Sequence, residues 1–154
     1  MTTSAGAGFS PRHRFAEWPN ANIPPVAAGV YVVWDGDQFI YSGMSGRGYE
    51  KAVTTDTKRY GLLGRLNSHA GGRLSGNQFC VYVANRLVIP SLQPNDLARF
   101  STGELTLDSL TRAYIREHFD YQFAITRSSS EAFALERACR DGTRFGRKPL
   151  LNPL

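Results

Sequence analysis

Cysteine, lysine and long apolar runs are all scarce in this chain of 154 residues. Its two cysteines, Cys80 and Cys139, lack zinc-type spacing, and they read as buried small hydrophobes rather than a disulfide or a metal site. No apolar run approaches the ~20 residues needed to span a bilayer, so no membrane is expected. The opening stretch, MTTSAGAGFSPRHRF, lacks the apolar core of a secretory signal. The expected compartment is the cytoplasm. No internal repeat is evident, and the length suits one domain with a single core.

The shortage of lysine sharpens what the charge means. The net charge is +5, and of 18 basic residues 15 are arginine. Arginine's planar fork matches phosphate oxygens better than lysine's point charge does. The charge is also uneven. From Met44 to Arg86 seven basic residues face two acidic ones, whereas from Gln93 to Asp120 three face five. A basic first half fits a polyanionic partner, although a solvated surface fits it as well.

The chain is organised around Gly29 to Gly43, GVYVVWDGDQFIYSG. Val30 to Trp34 is β-branched and aromatic, which favours a strand. Asp35-Gly36-Asp37 signals a tight hairpin turn, because glycine tolerates the positive φ required there. Gln38 to Tyr41 reads as the returning strand, so Tyr31 and Tyr41 are brought close together. Ahead of the hairpin, residues 1–14 are expected to form a flexible tail. Its Arg12-His13-Arg14 cluster either touches nucleic acid or simply moves with that tail.

Beyond the hairpin, residues 46–60 are polar and carry Arg47, Lys51, Lys58 and Arg59. This segment either lies along a nucleic-acid backbone or is a solvated loop. A helix is expected over about 57–70, stopped by Gly71-Gly72, with Leu62, Leu63, Leu66 and Ala70 as its apolar stripe. Arg65 and His69 are four residues apart and share one face of it. Residues 78–88 alternate and read as a strand. Helices are expected over about 95–100 and 107–118, the second with Leu107, Leu110, Ala113, Tyr114 and Phe119 on its apolar face. Tyr121 to Thr126 reads as a strand. Ser128 to Glu131 matches a capping box, opening a helix over about 130–141 in which Glu136 sits beside the apolar face. A buried carboxylate there must be paired or bind a metal. The fold class is therefore α+β, a small and mostly antiparallel sheet flanked by helices.

Five of these features stand in a recurring order. Gly29-Val30-Tyr31 and Tyr41-Ser42-Gly43 resemble the two signature triplets of the GIY-YIG nuclease superfamily. Arg65 with His69 one turn on, Glu136 on a later helix, and Asn152 after Pro149 resemble the superfamily's remaining signatures. The resemblance runs from Gly29 to the end of the sequence, with residues 78–119 as an insertion in a single domain over residues 15–154. Ser42 stands where the pattern has an aliphatic residue, and the interval from Gly43 to Arg65 is long.

The resemblance implies an endonuclease that hydrolyses phosphodiester bonds in DNA. It implies catalytic roles for Tyr31, Tyr41, Arg65, His69, Glu136 and Asn152, and one divalent ion, Mg²⁺ or Mn²⁺, held by Glu136. Tyr31, assisted by His69, would activate water, Tyr41 would position it, and Arg65 would grip the phosphate. Gly43, Arg47, Lys51, Lys58, Arg59 and Arg73 are the candidate nucleic-acid contacts. Two other functions fit the same residues: a non-cleaving nucleic-acid-binding module, and a toxin-like nuclease directed at RNA or single strands.

Overall fold

The computed structural model describes residues 8–46 and 61–154. Among them is an α+β fold, a four-stranded antiparallel sheet with five α-helices. The strands are β1 (His13–Arg14), β2 (Ala28–Asp35), β3 (Gln38–Ser45) and β4 (Asp120–Thr126), in the spatial order β1-β4-β2-β3. The helices are α1 (Leu62–Gly71), α2 (Gln78–Val83), α3 (Asp96–Ser101), α4 (Leu107–His118) and α5 (Ser129–Arg140). No helix of the described residues is long and apolar enough to cross a membrane.

The hairpin forms as its turn residues dictate. Asp35 pairs with Gln38, and Gly36 between them takes a φ of +57°. One step further the register slips: Trp34 pairs with Phe39, but Val33 pairs with Tyr41. Ile40 is the extra residue of a β-bulge. Side chains on a strand alternate between faces, so this one residue moves every later side chain of β3 to the other face. Tyr41 thereby joins Tyr31 and Val33 on one side of the sheet, where the larger part of the core lies.

Both faces are covered. Tyr31, Val33 and Ile40 pack with Leu62, Leu66 and Ala70 of α1 and with Phe79 and Ile115 from α2 and α4. On the opposite face Val30, Val32, Trp34 and Phe39 meet Ala132 and Cys139 of α5. Both cysteines are free and buried, and burial pushes each thiol up to about 12, which leaves them inert at neutral pH.

Three sequence expectations are corrected. Residues 78–88 are helical, not a strand: Asn77 caps α2 by accepting a hydrogen bond from the Cys80 N–H at 3.1 Å, and a π-helical turn over Ala84–Val88 continues it. Residues 10–14 are tied to the sheet rather than forming a tail. The Ser10 N–H donates to the Phe123 carbonyl at 2.8 Å, β1 pairs with β4, and the Arg12 guanidinium lies over the Trp34 ring at 4.4 Å. On α4, Ala113 is exposed, and Thr111 and Ile115 are the residues that bury. Helix α1 is described from Leu62, so the expected start at 57–60 lies outside the described residues.

Phe15 is fully buried, with its ring centroid 4.7 Å from that of Tyr121. Phe15→Ala is expected to destabilise the fold by about 3–5 kcal/mol, read as a lowered urea midpoint.

Candidate active site

The inner end of the hairpin holds the group that the sequence brings together. Tyr31 on β2 faces the core, and α1 passes over it with His69 pointing inward. The Tyr31 hydroxyl and His69 Nε2 are 2.6 Å apart, and both side chains are nearly inaccessible, at 2% and 1%. The Tyr41 ring stacks at 6.2 Å from Tyr31 and meets His69 edge-on at 6.1 Å. Phe79 closes the group from α2, 4.6 Å from the His69 ring. Arg65, one turn earlier on α1, is exposed, yet it is close enough for its charge to act on Tyr31, Tyr41 and His69.

Glycine makes the Tyr31 position possible. Gly43 is the register partner of Tyr31, and a Cβ at Gly43 would fall on the Tyr31 phenol oxygen and ring. Its missing side chain makes room for the tyrosine. Helix α1 is seated similarly. Gly61 has a φ of +112°, and the Leu62 N–H donates to the Ala27 carbonyl at 3.0 Å, joining the helix start to the start of β2.

Burial sets the protonation states. It raises Tyr31 well above the usual phenol value, with the neighbouring Tyr41 adding to the effect and Arg65 opposing it. It lowers His69 to about 3, helped by the Arg65 charge. With a protonated phenol beside a neutral imidazole, Tyr31 is the donor and Nε2 the acceptor in the tautomer that carries its proton on Nδ1. Tyr41 is raised by burial, again opposed by Arg65.

Glu136 reaches the site from the other layer. It lies on the buried face of α5 with Ala132 and Cys139, and is 7% exposed. Burial raises its carboxyl above the usual range, opposed by Arg140 and by the adjacent Ser42 hydroxyl. Glu136 Oε2 lies 3.6 Å from Arg140 Nε and accepts no hydrogen bond among the described residues. The charge of Glu136 raises both tyrosines across β3. A buried carboxylate oxygen is a ligand type that a hard divalent cation takes. No cluster of three His, Cys, Asp or Glu exists among the described residues, so Glu136 would be the protein's carboxylate ligand.

Asn152 acts through the backbone. Its Nδ2 donates to the Ser42 carbonyl at 2.6 Å, and the Ser42 N–H donates to its Oδ1 at 3.1 Å. Beside this clamp, the N–H groups of Leu150 and Leu151 donate to the carbonyls of Phe39 and Ile40, both at 2.9 Å. Asn152 thus fixes β3 between Tyr41 and Gly43. Arg73 is exposed just past α1, away from this group. Arg47, Lys51, Lys58 and Arg59 lie outside the described residues.

Four buried side-chain polar atoms lack a hydrogen-bond partner among the described residues, and three belong here: Ser42 Oγ, His69 Nδ1 and Glu136 Oε2. They lie on the two faces of the sheet, His69 with Asn77 as a polar neighbour and Glu136 with Ser42 and Arg140. Three residues that the sequence reading passed over join the site. Ser42 and Arg140 flank Glu136, and Tyr82 lies with its ring 6.5 Å from Tyr41. A strand reading of its segment hides Tyr82, whereas the spacing of Phe79, Cys80, Val83 and Ala84 is helical.

Two outcomes follow from this geometry. His69 is protonated more readily when unfolded, near 6.5, than when folded, near 3. Its contribution is present above pH 6.5 and is lost as pH falls towards 3, on the order of 5 kcal/mol at most. The raised Glu136 works in the opposite sense, so wild type is best compared with His69→Gln, in which the acid-side loss shrinks in urea titrations over that range. Gly43→Ala is expected to displace Tyr31 and break its bond to His69, seen as a changed imidazole nitrogen shift by NMR.

Comparison with protein-family models, with curated proteins and with solved structures finds no match for this chain.

Proposed function

We propose that the chain is a metal-dependent endonuclease of the GIY-YIG type, hydrolysing phosphodiester bonds in DNA. The observation that carries this reading is the buried Tyr31–His69 hydrogen bond of 2.6 Å beside Arg65. A tyrosine bonded to a neutral imidazole can relay a proton, and a guanidinium next to it can receive a phosphate. The buried Glu136 carboxylate adds a place for a divalent ion. When bound, that ion supplies charge to the phosphoryl oxygens and to the leaving oxygen.

The chain's own groups account for the rest. Arg65 holds the phosphate in line and carries part of the charge that develops on it. A water oxygen attacks phosphorus and the bond to the 3′ or 5′ oxygen breaks, that oxygen taking a proton from solvent. The attacking water's proton passes to the Tyr31 oxygen as the Tyr31 proton passes to His69 Nε2. In the free protein His69 is a poor base, because burial and Arg65 both disfavour its cation. A phosphate on Arg65 cancels the second of these causes, so the imidazole gains basicity when substrate is present. Tyr41 stands beside this relay as a second hydroxyl to position the water.

One observation favours a non-cleaving nucleic-acid-binding module instead. The Glu136 carboxylate already has a cation 3.6 Å away in Arg140, whose Nε donates to the Asn152 carbonyl at 3.0 Å. A carboxylate neutralised in this way needs no metal.

The two readings separate in one assay. Purified protein with Mg²⁺ is expected to convert supercoiled plasmid to nicked or linear DNA, and chelator or Glu136→Ala to abolish this. Tyr31→Phe is expected to lower the rate by roughly 10²–10⁴-fold. DNA binding that survives Glu136→Ala, with no cleavage of DNA or RNA, would instead support the binding module.

A further inference from the structure

At the end of α1 a groove of about 560 Å³ opens between that helix and α4. Arg73, Arg112 and Arg116 line it, with Asp108 as the acidic residue among its walls. None of the three arginines forms an ion pair among the described residues, and Asp108 is engaged in accepting the Leu74 N–H at 3.2 Å.

The groove is built rather than incidental. Gly72 closes α1 at a φ of +72°, where a Cβ would strike the Arg112 backbone, so the two helices touch at this point. Arg116 is half-buried and its Nε donates to the Ala70 carbonyl at 3.0 Å. That bond satisfies a free carbonyl at the helix end and fixes the guanidinium, whose terminal nitrogens have no hydrogen bond among the described residues. Arg112 stands close enough that its charge disfavours the Arg116 cation, as burial also does. Like charges held together without a carboxylate partner are repulsive in the free protein, and an anion relieves them.

We propose that this groove binds backbone phosphates of duplex DNA outside the reaction centre. The proposal rests on the nucleic-acid reading of the site, and it gives the 78–119 insertion a task, since α4 supplies two of the three arginines. Gly71 lines the groove and Arg65 lies about 9 Å back along the same helix axis.

The test is anisotropy of a fluorescein-labelled duplex in chelator, between about 50 and 200 mM salt. Wild type is compared with Arg73→Gln/Arg112→Gln and with a control of equal charge, Arg99→Gln/Arg147→Gln. Both groove positions are exposed, thermal melts check the fold, and Arg73→Gln alone provides a milder variant. The groove variant is expected to flatten the slope of log K against log salt by about 1.8 and to weaken binding roughly 10- to 100-fold near 0.1 M. Arg73→Gln alone should give half the slope change, and the control little change. An unchanged slope, or an equal loss in the control, overturns the groove, as does a wild type that fails to bind duplex at low salt. If the slope changes as expected and the plasmid is never cut, the groove stands and the endonuclease reading falls.

Discussion

One extra residue in one strand decides what kind of site this sheet can carry. Without the bulge at Ile40, Tyr41 would face α5, and the two tyrosines of the hairpin would look in opposite directions. With it, Tyr31, Tyr41 and the gap at Gly43 line up on one face of β2 and β3. His69 can then be lowered onto Tyr31 from α1. Opposite, Ser42 turns towards α5 and stands beside Glu136. The spacing of the two tyrosines has the same origin: a two-residue turn leaves few residues between them, and the bulge corrects the parity that so tight a turn would give.

The chemistry of the site is governed by burial and opposed by a single exposed cation. Tyr31, Tyr41 and His69 are all held in their neutral forms chiefly by removal from water. Arg65 lowers the tyrosines and His69 alike, so it favours a phenolate and disfavours an imidazolium. An anion at Arg65 reverses both effects at once. On the other face, Arg140 and the Ser42 hydroxyl oppose the effect of burial on Glu136.

Most of the elements were legible because local signals agreed. The Asp-Gly turn, the glycine stop after α1, the α4 boundaries and the strand Asp120–Thr126 each had a residue-level cause that the fold did not override. The segment 78–88 misled because Val81, Val83 and Val88 favour strands, while the Asn77 cap and the burial of Phe79, Cys80, Val83 and Ala84 decided for helix. At the site, Tyr31, His69 and Glu136 could be named from the sequence. What they touch could not be, because it depends on register and layers. The bulge has no sequence marker, and neither the Asn152 clamp nor the Arg140 contact leaves a local signal.

The Asn152 clamp has a consequence for the order in which the protein comes into being. Its two bonds join residues 110 positions apart, and the flanking backbone bonds from Leu150 and Leu151 run along the outer edge of β3. A chain emerging from the ribosome can pair its hairpin well before residue 152 has been made. Until residue 152 is synthesised, that edge is open and Ser42 lacks these partners. The placing of β3 beside the site therefore waits on residues made long after the hairpin itself.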